Sequence, residues 1–135
     1  MLLESFRPGV MASMGLGPEV CLRQNPRLVY ASLTGYGQQG ENADLAGHDL
    51  NFQALSGILH WSRDHAGRLQ HPGLPLADIA GGSYGTVQAI LAALWQRERS
   101  GSGRHLDLSM TAAVAPLASL ALATHQASAM VGLPQ

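Results

Sequence analysis

Two short stretches of this sequence hold the side-chain types that move protons or attack carbonyls. The first is Gly47-His48-Asp49, directly before Leu50, Ala54, Leu55 and Ile58, which recur at helical spacing. A residue at the start of such a helix faces a ligand, while the free backbone N–H groups hold a developing anion. In that reading Asp49 sits favourably near the positive helix end. The same residues also fit a plain helix start, with Asp49 as its cap and His48 as a loop residue. The second stretch is Leu76-Ala77-Asp78-Ile79-Ala80-Gly81-Gly82, a lone carboxylate at the apolar entry of a long helix. Asp78 fits an N-cap. It fits equally a base or nucleophile whose pKa is raised by apolar surroundings. The two glycines after it are read as places where a ligand comes close to the backbone.

Other chemical patterns are weaker. Gly35-Tyr36-Gly37-Gln38-Gln39-Gly40 has the form of a dinucleotide fingerprint after a strand, but Glu41 to Gly47 offers no helix to meet a pyrophosphate. A turn-rich loop is expected there. His60, His65 and His71 match no standard zinc spacing, and no cysteine supports them, so no metal is expected. The single cysteine, Cys21, has no partner for an internal disulfide and reads as a buried or half-buried thiol in a reducing cytosol.

The elements that must position these residues follow from patterning. Leu28 to Leu33 is a compact apolar run that fits a buried strand of a parallel sheet. A strand is also expected at Met1 to Phe6, with short helical pieces at Met11–Leu16 and Glu19–Gln24. Helices are predicted over Asp49–Leu59 and Ile79–Arg99, the latter with Val87, Ile90, Leu91, Leu94 and Trp95 on one face. Trp61 to Pro75 reads as a polar loop, and His105 to Met110 as a half-exposed strand. A last helix, Ala112 to Ala129, is confined or bent by Pro116. The order implies an α/β fold.

Composition narrows the partners. The 135 residues suffice for one ordinary domain, with 46% hydrophobic and 13% charged residues and a formal net charge of −1. A near-neutral chain lacks the footprint of a nucleic-acid binder. Its basic residues are all Arg, so neither a Schiff-base lysine nor a Walker-type lysine is present. No stretch reads as a signal peptide or reaches the length of a membrane span, so no membrane partner and a cytoplasmic location are expected.

Seven pieces then fall in one order: Ser5-Phe6-Arg7-Pro8-Gly9-Val10, Gly15-Leu16-Gly17, Asn25-Pro26-Arg27-Leu28, Leu33-Thr34-Gly35-Tyr36-Gly37-Gln38, Gly47-His48-Asp49-Leu50-Asn51, Ala77-Asp78-Ile79-Ala80-Gly81-Gly82 and Ser100-Gly101-Ser102-Gly103. In that order the chain resembles the family III CoA-transferases of the CaiB/BaiF type, and within them the alpha-methylacyl-CoA racemase branch, from about Leu3 to Met110. The resemblance implies part of a Rossmann-like large domain, an acyl-CoA thioester as substrate, no cofactor, and an interlocked homodimer. By resemblance His48 and Asp78 form an acid/base pair for 1,1-proton transfer at the α-carbon of a 2-methylacyl-CoA. In transferase-type members the same Asp is the nucleophile, and the His position is commonly another residue, often Tyr. CoA binding is implied for Ser5, Phe6, Arg7, Pro8, Gly9, Gly47, His48, Asp49, Leu50, Asn51 and Phe52. Donors for the enolate oxygen are expected among the backbone N–H groups near Asp49.

Against the family pattern, the strands before the Arg-Pro-Gly motif and the small domain are missing, and Ser13 stands where racemase-type members often carry an Arg. Residues 1–135 are therefore expected to be a central fragment of the large domain. CoA transfer between carboxylic acids and a non-catalytic remnant are the alternatives. The strands at Leu2-Leu3 and Leu28–Leu33 are expected to lack covering partners, so that the chain associates rather than melting as a sharp monomer.

Overall fold

The computed structural model describes residues 1–130. Strand β1 (Leu2–Glu4) is followed by helices α1 (Val10–Ser13) and α2 (Pro18–Gln24), then by strand β2 (Val29–Thr34). Helix α3 (Asp49–Leu55) leads through a 3-10 turn, Ile58–Trp61, and a polar loop to a π-helical segment, Ala77–Tyr84. That segment runs into α4 (Gly85–Ser100), strand β3 (Arg104–Ser109), α5 (Met110–Val114), a 3-10 turn at Ala115–Ala118 and α6 (Ser119–Met130). The sheet is wholly parallel, in the order β1-β2-β3, with Leu3 opposite Ala31 and Ala31 opposite Leu106.

Local chemistry sets these boundaries. Pro18 supplies the preset φ of a first helical position in α2, and the Asn25 side chain accepts the Arg27 N–H (3.0 Å) to turn the chain toward β2. The apolar run then continues as the central strand: Val29, Tyr30 and Ala31 are fully buried, and Ser32 nearly so. Even its polar atoms are satisfied. Tyr30 donates its hydroxyl to the Leu16 carbonyl (2.9 Å), and the Ser32 hydroxyl meets His105 Nε2 (2.9 Å). β1 forms the edge and Leu3 is half exposed, as expected of a strand without a covering partner, whereas β2, expected to lack cover too, lies between β1 and β3 and is buried.

The long helix differs from its sequence reading in two ways. Its first turns begin at Ala77 and are π-helical, two residues before Ile79. The face it buries is Thr86, Ile90 and Ala93, whereas Val87, Leu91 and Trp95 stand 54%, 60% and 62% exposed. Small residues let α4 lie close on β2 and β3, and the larger apolar groups are left on the outer face. Trp95 is covered there by the Arg99 guanidinium, 3.8 Å above its ring. The helix from Asp49 stops at Leu55 because Gly57 takes a φ of 85°. Pro116 divides the C-terminal helix into α5, a 3-10 turn and α6.

A candidate active-site cleft at the strand ends

The C-terminal ends of β2 and β3 open into a cleft, the usual ligand position of a parallel sheet. Its floor is the loop after β2, pinned from several directions. Thr34 Oγ1 accepts the Gly37 N–H (2.9 Å), and the Asp107 carboxylate accepts the Gln38 N–H (3.0 and 3.1 Å). The Gly35 carbonyl receives both the amide (3.0 Å) and the hydroxyl (2.8 Å) of Thr111. Residues 41–44 form turns rather than a helix, so the glycine pattern makes a floor and not a dinucleotide site. Two glycines have packing roles here. A Cβ at Gly35 would overlap the Phe52 ring, and one at Gly47 would meet the Tyr36 hydroxyl and Phe52. The Phe52 and Tyr36 rings meet edge to face, 5.1 Å apart.

His48 and Asp78 come together in this cleft, which encloses about 670 Å³. His48 is the N-cap of α3, its backbone N–H donating to Asn51 Oδ1 (3.0 Å). The amides of Asn51 and Phe52 both return to the His48 carbonyl, at 2.8 and 3.3 Å. Asp78 lines it from a separate element, in the first π-helical turn. Asp49 ties the two walls together. Its buried carboxylate turns away from the cleft and accepts the amides of Ala77 (2.7 Å) and Asp78 (3.1 Å), while Gln53 Nε2 donates to its other oxygen. The carboxylate that caps the Asp78 helix is therefore Asp49, not Asp78. That leaves the Asp78 side chain free to face the cleft.

This arrangement perturbs Asp78. Burial raises its pKa first, and the nearby Asp49 carboxylate raises it further, while His48 pulls in the opposite direction. A carboxyl so placed holds a proton more readily than an ordinary aspartate and can exchange it with a neighbour.

The remaining sequence expectations divide. Ser5, Phe6, Arg7 and Pro8 line the cleft with Gly47, His48, Asn51 and Phe52. Gly9, Asp49 and Leu50 do not: Gly9 starts α1 with a φ of 82°, Asp49 lies behind the wall and Leu50 points elsewhere on α3. Gly81 and Gly82 do not admit a ligand, as their pattern suggested. A Cβ at Gly81 would lie 2.6 Å from the Met110 carbonyl, so these glycines let α5 pack against the π-helical turns. Tyr36, Leu45 and Met110 also line the cleft and were not singled out as site residues. Only Tyr36 carries a signal, through the Leu33–Gln38 motif, because apolar type alone does not distinguish a wall from a core.

Outside the cleft, His60 packs its ring against Trp61 and His125, and His71 Nδ1 accepts the Gly73 amide (3.0 Å). Among the described residues no three His, Cys, Asp or Glu side chains gather closely enough to hold a metal. Cys21 is half-buried, its thiol against the Leu16 carbonyl at 3.3 Å. Among the described residues no helix is long and apolar enough to cross a membrane.

Comparison with known proteins gives a consistent assignment. The model of CoA-transferase family III matches residues 1–135. The alpha-methylacyl-CoA racemase of Homo sapiens is 45% identical over 132 residues, covering 95% of this chain and 34% of the racemase. The succinate–glutarate CoA-transferase of Agrobacterium fabrum is 39% identical over 82% of this chain and 27% of its own length. A crystal structure of a CAIB/BAIF family protein from Brucella suis superposes with a TM-score of 0.85 at 32% identity, covering 95% of this chain and 34% of that one. The chain thus spans about a third of the length of such relatives.

Proposed function

The chain belongs to CoA-transferase family III, and from that premise we propose that its cleft serves proton transfer at the α-carbon of a 2-methylacyl-CoA thioester. The observation that carries this reading is the placement of His48 and Asp78 in one cleft, on separate elements. A proton α to a thioester is weakly acidic. Its removal needs a positioned base and stabilisation of the enolate oxygen. With the α-carbon between them, one of the two residues takes the proton and the other returns one to the opposite face, inverting the centre. The raised pKa of Asp78 suits both halves of that exchange. Ser5, Phe6, Arg7 and Pro8 form the wall assigned to CoA, with Arg7 supplying a positive charge. Neither step calls for a metal or an organic cofactor.

The test is isotope exchange. Incubated with a single-enantiomer 2-methylacyl-CoA in deuterated water, the protein should place deuterium at the α-carbon and erode enantiomeric purity. A second reading is supported by the similarity to CoA-transferases at 39% identity: Asp78 attacks the thioester carbonyl and CoA passes to another acid. Movement of CoA to an added carboxylic acid, without α-deuterium, would decide for it. Binding without either reaction would indicate a non-catalytic chain.

A further inference from the structure

Behind the cleft lies a charge that the proton transfer above does not use. The Asp49 carboxylate is buried, and its partners are all neutral donors: the amides of Ala77 (2.7 Å) and Asp78 (3.1 Å) on one oxygen, Gln53 Nε2 on the other. Among the described residues the ion pairs join Arg27, Arg68 and Arg97 to Asp64 and Glu98, and none reaches Asp49. Burying a carboxylate without a cation is costly. An asparagine would cap the same two amides without that cost. Capping therefore accounts for the position of Asp49 and not for its charge.

Gln53 decides how that charge is aimed. It is 1% exposed, one turn after Asp49 on α3, and it holds the second carboxylate oxygen so that the first stays on Ala77 and Asp78. His48 precedes Asp49 in the chain, and its own backbone N–H is fixed by Asn51. One dipeptide thus seats both members of the pair: His48 directly, and Asp78 through its amide. Burial, and then this negative charge one hydrogen bond from the Asp78 backbone, both favour the protonated carboxyl. Other charges are fewer or engaged. His48, which pulls the other way, and Arg7 line the same cleft, and α5 carries none. On β3, Asp107 holds the Gln38 amide, His105 meets Ser32 and Arg104 begins the strand, while Arg97, Glu98 and Arg99 stand at the far end of α4.

We propose that Asp49 and Gln53 are a buried positioning pair that seats Asp78 beside His48 and sets the pH at which Asp78 gives up its proton. The inference rests on the proton-transfer reading above and assigns control of its pH range to two residues outside the cleft lining.

Carboxyl-carbon NMR titration of the whole chain, labelled at aspartate, tests it without substrate, and Asp78→Asn identifies the Asp78 signal by its loss. Asp49→Asn removes the charge and keeps the geometry: the asparagine oxygen still caps the two amides, and its nitrogen donates to a flipped Gln53 amide. In that variant the Asp78 midpoint should fall toward the ordinary aspartate range. The acid limb of α-deuterium exchange should move to lower pH with it, while KM stays unchanged. Asp49→Asn combined with Gln53→Glu returns a charge to the buried pair, one side chain further from Asp78, and its midpoint should lie between the other two. Should the single variant fail to fold, the double variant decides by a midpoint below that of the unaltered protein. An Asp78 midpoint unchanged in either folded variant would overturn the inference and leave the acyl-thioester reading intact. Midpoints that fall as expected, in a protein that places no deuterium at the α-carbon, would sustain the inference and overturn that reading alone.

Discussion

At the N-terminal end of β2 the chain closes on its own backbone, whereas at the C-terminal end it stands open around His48 and Asp78. The closed end is held by main chain: the Gly103 amide donates to the Pro26 carbonyl (2.8 Å), and Gly103 lies so close that a Cβ would overlap the Leu28 carbonyl. At the open end, the glycines make room for side chains instead, with Gly35 and Gly47 under Phe52 and Tyr36. Charge differs as well. Arg27 and Arg97 meet Glu98 at 3.4 and 2.9 Å, while Asp49 is buried and Asp78, exposed to the cleft, still has its pKa raised by desolvation and by Asp49. Rigid backbone contact anchors one end of the sheet. The costly groups are gathered at the other, where ligand can interact with them.

The largest effect that would sharpen this contrast belongs to Asp78. Asp78→Asn should lower α-proton exchange by about 10²–10⁴-fold, and yet stabilise the fold slightly at neutral pH. Because the folded-state pKa of Asp78 is raised, its ionisation favours the unfolded chain. Its stabilising contribution is present below the ordinary carboxylate range and is lost as pH rises through the raised value. The advantage of Asn should therefore be seen near pH 7 and vanish near pH 3 in thermal melts. A lower melting temperature for Asn at neutral pH would break the comparison.

The closed end should behave in the opposite sense. Gly103→Ala pushes a methyl group into the Leu28 carbonyl, and a loss of about 1–3 kcal/mol is expected. The measurement is the urea midpoint, and an unchanged midpoint would mean that the end is not closed by backbone contact. The smallest effect belongs to the exposed ion pairs. Glu98→Gln should move stability by less than about 0.5 kcal/mol. A larger fall in the same urea titration would shift the anchoring role from backbone to charge.

Much of the frame was legible in the sequence. Leu28 to Leu33 announced the central strand because burial on both faces demands an uninterrupted apolar run, and the strand forms at Val29–Thr34. Gly47-His48-Asp49 marked the start of α3 by composition and spacing, and α3 begins at Asp49. What stayed hidden were contacts between distant residues. Asp49 looked like the cap of its own helix, but it caps the segment at Ala77, 28 positions away, which no local pattern encodes. Gly81 and Gly82 looked like space for a ligand and are space for Met110. In α4 the apolar stripe was visible, but the face chosen against the sheet was the one with Thr86 and Ala93, since close approach outweighed side-chain size.

The π-helical turns at Ala77–Tyr84 have a consequence for how this protein can change over generations. A wide turn resets the angular phase between the residues on its N-terminal side and those on its C-terminal side. Asp78 stands before most of that reset, and the residues of α4 that rest on the sheet stand after it. Aiming the carboxylate and seating the helix are thereby separate problems. Substitutions that re-seat α4 on β2 and β3 can accumulate without swinging Asp78 away from His48. A single deletion among residues 79–84, by restoring an ordinary helical pitch, would rotate one against the other and disconnect the pair while leaving the helix itself intact.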